Sequence, residues 1–294
     1  MARGSLEASP RLRRRRLVER ALGALAVLSA AGAVAVLGIV VASVAIKGSS
    51  ALNWDFFTKS PALFGQTGGG IAPAIVGTAV LVAWAIAIAV PIGVLTAIYT
   101  TEFAPRRLGR WIRVTLDILN GVPAIVVGIF VFGLIVTGHG QSGFAGSFAL
   151  SILMVPMVAR ATQEVLALVP RSLREASLAL GVSRWRTVVQ VVLPQTVGGI
   201  LTGAILATAR VAGETAPLLF TSSIAGNVVS TDASHALQSI PVTIFVDSEA
   251  PDPALHAQAW AAALVLIAFV LVASVGARSI LGWRRRRFDL QTPG

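Results

Sequence analysis

A charged, helix-forming stretch, RSLREASLALGVSRWRTVVQVVLP at residues 171–194, lies between two long apolar runs. In a helix, Leu173, Ala176 and Leu180 share one face at i, i+3 and i+7, while the charged side chains lie elsewhere on the helix. Gly181 can adopt the left-handed backbone conformation that ends a helix. Residues 171–194 therefore predict a short amphipathic helix, a sharp turn and a second helix that leads into the next apolar run.

The composition of the chain is that of a membrane protein. Of its 294 residues, 55% are hydrophobic and only 13% are charged, and the mean hydropathy is +0.80. Ordinary soluble domains are about 25% charged, and a helix needs about 20 apolar residues to cross a bilayer. We predict an all-α integral membrane protein with six transmembrane helices, from apolar runs at 21–46, 73–99, 115–137, 144–159, 191–221 (interrupted) and 258–277.

The placement of the basic residues indicates how the chain is oriented in the membrane. If the N-terminus is cytoplasmic, 21 of the 24 Lys and Arg residues lie on the inner side, in the two ends of the chain and in two inner loops. This asymmetry is the positive-inside pattern, and it indicates contact with anionic membrane lipids. We expect cytoplasmic N- and C-termini and no nucleic-acid partner, because the sequence has no basic groove rich in aromatic residues.

The two ends are predicted to be basic cytoplasmic tails, at 1–20 and at 283–294. A secretory signal is the alternative for the N-terminal part, but the apolar run after the basic tail is longer than the 7–15 residues of a signal core. We therefore expect an uncleaved first transmembrane helix at 21–46.

Several classes of chemistry are excluded by residue types. The chain has no cysteine, its three histidines lie in predicted outer loops without a partner at metal-ligand spacing, and no Gly-Lys-Ser/Thr sequence is present for a P-loop. No Ser or Thr stands beside a base in a recognisable nucleophile elbow. We expect no catalytic residue, no metal site and no cofactor bound by this chain.

Charges inside the predicted spans point to a pathway for an anion. Arg210 and Glu214 are four residues apart in the apolar run ILATARVAGETAPLLFT, and a charge at membrane depth costs at least about 2.5–3.5 kcal/mol. One interpretation is a structural ion pair. The other is that Arg210 offers a fixed cation to an anion in transit, with Glu214 holding it. Arg160 and Glu164 repeat the spacing at the inner end of the fourth span, with the same two interpretations.

Other residues near the spans are assigned smaller roles. Asp117 is four residues after Arg113, and this spacing favours a screened pair at an inner helix end that is not part of a path. Prolines interrupt or cap four successive apolar segments, which favours kinked helices around a pathway, although proline is common in transmembrane helices generally.

The 171–194 stretch also resembles the EAA loop of ABC importer permeases. The matching positions keep the spacing of that loop, with Ser177 in place of alanine and Val191 in place of isoleucine: Glu175, Ala176, Ser177, Gly181, Val191, Leu193 and Pro194. The alternative is an interfacial helix that rests on lipid headgroups through Arg171, Arg174, Arg184 and Arg186.

This resemblance implies a type I (MetI-like) permease with a cytoplasmic coupling helix. In such permeases the loop docks into a groove on a separate ATPase, so Glu175, Ala176 and Gly181 would form the docking element here. ATP and Mg would be bound by that partner, which is consistent with the missing P-loop.

Further segments resemble the PstA-type permeases of phosphate ABC importers, over a permease domain at about 68–282. They are NGVPAIVVG at 120–128, GSFALSILMVPMVAR at 146–160, ARVAGETAPLLFT at 209–221 and IPVTIF at 240–245. The resemblance implies that Arg160, Arg210 and Glu214 take part in phosphate movement.

It also implies a location in the bacterial inner membrane and a set of partners. These would be a homologous second permease, an ATPase dimer and a periplasmic phosphate-binding protein. A permease for another oxyanion or solute is the alternative, and a self-sufficient secondary carrier is a more distant one.

Overall fold

The computed structural model describes residues 10–61, 69–222 and 228–289, and all regular structure in these ranges is helical. Three π-helical segments extend neighbouring helices: π1 (Tyr99–Phe103), π2 (Phe132–Val136) and π3 (Val188–Val192). In chain order, the α-helices are α1 (Pro10–Ser49), α2 (Trp54–Thr58), α3 (Ala72–Ile98), α4 (Arg106–Gly121), α5 (Ala124–Val131), α6 (Thr137–His139), α7 (Gly143–Ala167), α8 (Arg171–Ala179), α9 (Arg184–Thr187), α10 (Leu193–Val211), α11 (Ala216–Thr221), α12 (Ile240–Glu249) and α13 (Pro253–Asp289).

The prediction of an all-α membrane protein is confirmed. Within the described ranges, five helical stretches are long and apolar enough to cross a bilayer: Arg14–Ser49, Ala72–Phe103, Gly143–Ala167, Arg184–Val211 and Pro253–Gly276. A sixth crossing exists only if two bent helices are counted together. The two outermost helices extend into the predicted tails, since α1 begins at Pro10 and α13 ends at Asp289; residues 1–9 and 290–294 lie outside the described ranges.

The third predicted span, 115–137, is not one helix. The stretch Arg106–Gly121 meets the stretch Ala124–His139 at an angle of 96°. The cause is Pro123, which lacks an N–H and disfavours the helical conformation at the residue before it; Val122 is extended, with φ −69° and ψ 128°. The bend agrees with the expectation that prolines interrupt the apolar segments, and it leaves the third run as one crossing only if the two bent stretches are counted together.

The next two spans also differ from their predicted bounds. The fourth span, predicted at 144–159, is longer in the structure. It is helix α7, which contains Pro156 and continues through polar residues to Ala167. The fifth is interrupted as predicted: α10 ends at Val211 and α11 begins at Ala216. The break turns α11 onto α5, where a Cβ atom added to Gly128 would lie 2.7 Å from Pro217 Cα.

The core lies between α3, α7 and α10. Its buried side chains include Leu81, Leu150, Met154 and Val211, and Gly93 lets α3 approach α7 so closely that an added Cβ would lie 2.9 Å from Val158 Cβ. Such close approach at small residues is the usual means of packing helices in a membrane. In contrast, the apolar stretch of α1 is exposed along most of its length and packs on α13 near Gly48.

The segment that leads into α12 is docked on α3 through its backbone groups. The Ile240 N–H donates to Thr78 Oγ1 over 2.8 Å, and the Thr78 hydroxyl donates to the Ala74 carbonyl over 2.7 Å. The neighbouring residue, Gly77, lies against the Gln238 carbonyl oxygen, which a Cβ atom at Gly77 would overlap. The absence of a side chain at Gly77 therefore allows this docking.

We predict that Gly77→Ala lowers the stability of the chain by about 1–3 kcal/mol, since overpacking against a backbone atom forces the two segments apart. The thermal unfolding midpoint in detergent, followed by tryptophan fluorescence, measures this loss. The matched control is Gly133→Ala, because a Cβ at Gly133 has no neighbour within 4 Å. Equal midpoints for the two variants would contradict the close contact.

A partly buried carboxyl group lies on α12, outside the membrane-spanning helices. Asp247 Oδ2 is buried and has no hydrogen-bond partner among the described residues. Burial disfavours the charged form of a carboxyl group, and it raises the pKa of Asp247 from 3.8 to about 6. Because the folded chain holds this proton more tightly than the unfolded chain, the associated stability is present at low pH and is lost as the pH rises through about 6.

Replacing Asp247 by Asn is therefore expected to raise the unfolding midpoint more at pH 8 than at pH 5, since the amide carries no charge to bury. Unfolding curves over this pH range provide the measurement. Glu249→Gln is the control, because Glu249 is exposed on the same helix. A gain that is independent of pH would show that charge burial at Asp247 is not the cause.

Candidate functional site

The charged pair in the fifth span is separated by the end of a helix. Arg210 is exposed in the last turn of α10, which ends at Val211, and Glu214 is half-buried in the turn that follows. In the described part of the chain, no ion pair within 4 Å joins them. The i, i+4 pairing on one helix is thus not formed, and the guanidinium of Arg210 has no carboxylate partner in the described ranges.

Arg160 is paired, but not with Glu164. Arg160 Nε lies 3.0 Å from Asp117 Oδ1 on α4, and Arg160 Nη1 donates to Gln163 Oε1 over 3.4 Å, while Glu164 is exposed. The side chains of Arg160 and Asp117 are 38% and 51% exposed, so the pair is accessible. The expected pairing of Asp117 with Arg113 was wrong: Arg113 Nη1 instead donates to the Thr100 carbonyl over 3.4 Å.

Arg160 and Arg210 lie on two helices that pack together. Gly203 of α10 lies against α7, where an added Cβ would be 2.6 Å from Ala161 Cβ, next to Arg160. Arg210 is seven residues further along α10, or about 10 Å at the helical rise of 1.5 Å per residue. The two arginines are therefore placed at different depths of one pair of helices.

The elbow at 171–194 folds as predicted in its helix, turn and helix. Helix α8 ends at Ala179, Gly181 has φ +78°, and α9 begins after Ser183. The hydroxyl groups of Ser177 and Thr187 are 2.9 Å apart and buried, and this bond holds the two helices together. Ser177, which stands where the EAA pattern has alanine, thus has a structural role.

The predicted apolar face of α8 is not covered by the described part of the chain. Leu173 and Leu180 are exposed, as are Glu175 and Ala176, and Trp185 extends the exposed surface onto α9. This surface is available for contact with a protein or with lipid.

One arginine of the elbow is anchored inside the protein. Arg174 makes a forked pair with Glu102 of π1, with Nη2 2.7 Å from Oε1 and Nε 3.2 Å from both carboxylate oxygens. The same guanidinium donates to the carbonyls of Val169 (2.6 Å) and Leu166 (2.9 Å). With side chains only 19% and 7% exposed, Arg174 is not free for lipid headgroups, and that interpretation of Arg174 was wrong.

A second buried contact joins α7 to π1. Gln163 Nε2 donates to Thr100 Oγ1 over 2.8 Å, and Gln163 and Thr100 are both buried. Sequence reasoning missed Glu102, Thr100 and Gln163, since their partners are 63 and 72 residues away. The sequence does show these polar residues beside apolar runs. Spacing within one helix cannot predict their partners, because the partners lie on other helices.

Comparison with known proteins agrees with this architecture. The sequence pattern that describes the family "Binding-protein-dependent transport system inner membrane component" matches residues 89–287. The phosphate transport system permease protein PstA of Yersinia pestis is 41% identical over 245 residues, covering 83% of this chain and 83% of that protein. PstA 1 of Mycobacterium tuberculosis is 42% identical over 230 residues, covering 76% and 74%.

Solved structures show the same fold at low sequence identity. A chain of the MetNI methionine ABC transporter in an inward-facing conformation has a TM-score of 0.55 and 19% identity, with coverage of 72% of this chain and 93% of that chain. A chain of an amino acid ABC transporter has a TM-score of 0.52 and 18% identity, with coverage of 74% and 92%.

The resemblance to PstA-type permeases and to the MetI-like fold is therefore confirmed. The chain belongs to the family of binding-protein-dependent transport system inner membrane components and is similar, within that family, to the permease proteins of phosphate transport systems.

Proposed function

We propose that this chain is the permease subunit of an ATP-driven ABC importer that moves inorganic phosphate from the outer side of the bacterial inner membrane into the cytoplasm. The observation that carries the proposal is the similarity to phosphate transport permeases over 83% of the chain. The guanidinium of Arg210, which has no carboxylate partner among the described residues and is the one charged side chain of α10, supports an anionic substrate.

Phosphate would meet two arginines in turn. Arginine suits this task because its planar guanidinium binds phosphate oxygens with two parallel hydrogen bonds. Arg210 is free of a carboxylate among the described residues, whereas an anion at Arg160 competes with Asp117 for the guanidinium. Glu214, half-buried in the turn after α10, limits the attraction for the anion. A conducting site must release its ion, so this chain alone has no tight phosphate site.

The energy would come from a separate ATPase dimer that binds ATP and Mg, and the chain itself is not an enzyme. Glu175, Ala176 and Gly181 would form the docking element, with the exposed apolar face of α8 against the ATPase. A homologous second permease would complete the pathway, and a periplasmic phosphate-binding protein would deliver the substrate. The positive-inside pattern supports cytoplasmic N- and C-termini and basic tails in contact with anionic lipid.

Loss of the Arg210 charge tests the anion pathway. We predict that Arg210→Gln lowers phosphate uptake by about tenfold or more, because a charged hydrogen bond to the substrate contributes about 1.5–3 kcal/mol. Uptake of labelled phosphate by proteoliposomes that contain the whole complex is the measurement, and size-exclusion chromatography checks assembly. Arg107→Gln is the control, since Arg107 is exposed near the start of α4.

Normal uptake by the Arg210→Gln complex would remove Arg210 from the pathway. Uptake by the chain alone under an ion gradient would instead indicate a secondary carrier, and the ABC importer proposal would fail.

The turn at Gly181 tests the coupling role. A non-glycine residue in the left-handed conformation costs about 1–2 kcal/mol, and no atom lies within 4 Å of a Cβ at Gly181. We predict that Gly181→Val reduces co-purification with the ATPase several-fold, while Gly181→Asn retains it, because asparagine tolerates this conformation. Equal loss in both variants would mean that the backbone conformation of the turn is not what matters.

A further inference from the structure

The segment π1, YTTEF at Tyr99–Phe103, lies between the elbow and the inner arginine of the pathway. It is a π-helical continuation of α3, and π-helical turns are rare and frequent at functional sites. Thr100 and Glu102 are its two buried polar residues. Glu102 contacts α8 and Thr100 contacts α7. The π1 segment therefore joins two helices that are distant from it in the sequence.

The first connection runs from α8 to π1. The guanidinium of Arg174 binds Glu102 through three contacts. It also donates to the Leu166 and Val169 carbonyls, at and just beyond the end of α7. Because the donors of a guanidinium have a fixed geometry, α8 cannot shift relative to α3 and α7 without moving Glu102 or breaking this contact. The position of the elbow is therefore linked to π1.

The second connection runs from π1 to the pathway. Thr100 Oγ1 accepts from Gln163 Nε2 over 2.8 Å, and Gln163 Oε1 accepts from Arg160 Nη1 over 3.4 Å. Arg160 in turn binds Asp117 over 3.0 Å, and Arg113 of the same helix donates to the Thr100 carbonyl. Two sets of polar contacts, joined through the backbone of π1 between Thr100 and Glu102, thus extend from the exposed elbow to an accessible arginine.

We propose that π1 is a relay that connects the elbow to Arg160. Movement of α8 is passed through Arg174 and Glu102 to π1, and through Thr100 and Gln163 to Arg160. The relay changes the contact between Arg160 and Asp117. The guanidinium of Arg160 then becomes available to an anion when the ATPase moves α8. The choice of anion rests on the proposed function, whereas the mechanical link does not.

The free-energy cost of burying the Arg174 and Glu102 charges favours a switching role for them over a purely structural one. An ion pair as buried as Arg174–Glu102 contributes little net stability compared with apolar side chains of similar volume. Discrete polar contacts, by contrast, have two distinct arrangements, made and broken, as a switching element requires. Thr100, Glu102, Gln163 and Arg174 are positioning residues in this scheme, and Arg160 is the one residue of the relay that contacts the anion.

Thr100→Val tests the relay at its centre. Valine keeps the shape of threonine but removes the hydroxyl that accepts from Gln163. The matched control is Thr196→Val, because Thr196 is equally buried and its hydroxyl donates only to carbonyls of its own helical stretch, at Val192 and Leu193.

The readout is the movement of the inner end of α7. The chain has no native cysteine, so Glu164→Cys gives a single exposed thiol one turn from Arg160. In the complex with the ATPase and the second permease, we expect ATP to change the rate of thiol labelling about threefold or more, within the range of known coupling effects. The change is expected to disappear with Thr100→Val and to persist with Thr196→Val.

A double-mutant cycle provides a second measurement. Glu102→Gln and Gln163→Leu alter the two connections separately, and no direct contact joins the two side chains among the described residues. If one relay carries the signal, the second substitution adds less than half of its separate effect on the ATP-dependent change in labelling. Fully additive effects would overturn the relay, as would an ATP-dependent change that survives Thr100→Val.

Phosphate transport by the same complexes separates the two proposals. If the relay operates in the unmodified complex, Thr100→Val is expected to raise the ATP hydrolysed per phosphate imported by about threefold or more. If the unmodified complex moves no phosphate while labelling still depends on ATP and on Thr100, the relay stands and the substrate assignment fails. If phosphate is moved and labelling is insensitive to Thr100→Val, the relay alone fails.

Discussion

The structure depends on one constraint, which is that polar groups away from water need partners. The chain meets it for two charged side chains where π1 lies against α7 and α8, whereas Asp247 Oδ2 on α12 has no hydrogen-bond partner among the described residues. Glu102 has the Arg174 guanidinium, and that guanidinium also satisfies two carbonyls at and just beyond the end of α7. The contacts that satisfy these polar groups also join the exposed elbow to the membrane-spanning helices. One set of hydrogen bonds therefore both satisfies the buried groups and fixes the position of the elbow.

Breaks in the helices place the remaining charges. The bend before Pro123 allows α4 to lie beside α7, where Asp117 meets Arg160. The break after Val211 puts Glu214 in a turn and leaves Arg210 without a carboxylate among the described residues. A membrane helix tolerates such breaks where neighbouring helices cover the freed backbone, and the packing of Gly128 on Pro217 is one example. The result, in the described ranges, is one arginine with a carboxylate partner and one without, on two adjacent helices.

Much of the fold could be predicted from local patterns. Five of the six apolar runs correspond to helical stretches long enough to cross a bilayer, and Gly181 predicted the turn of the elbow, because hydropathy and a left-handed glycine are properties of a few neighbouring residues. The pairings were harder to predict. Spacing within one helix suggested Arg160 with Glu164 and Asp117 with Arg113, but the structure joins Arg160 with Asp117. The π-helical segments also have no simple sequence signal, since they arise where packing favours one extra residue per turn.

The sequence by itself determined the membrane environment, the elbow at 171–194 and the residue types available for an anion pathway. These follow from hydropathy, from charge placement and from motif spacing, all of which are readable along the chain. Only the tertiary structure decided which charges meet. Contacts such as Arg174 with Glu102 and Gln163 with Thr100 join residues 72 and 63 positions apart, and that proximity is set by how the helices pack and bend.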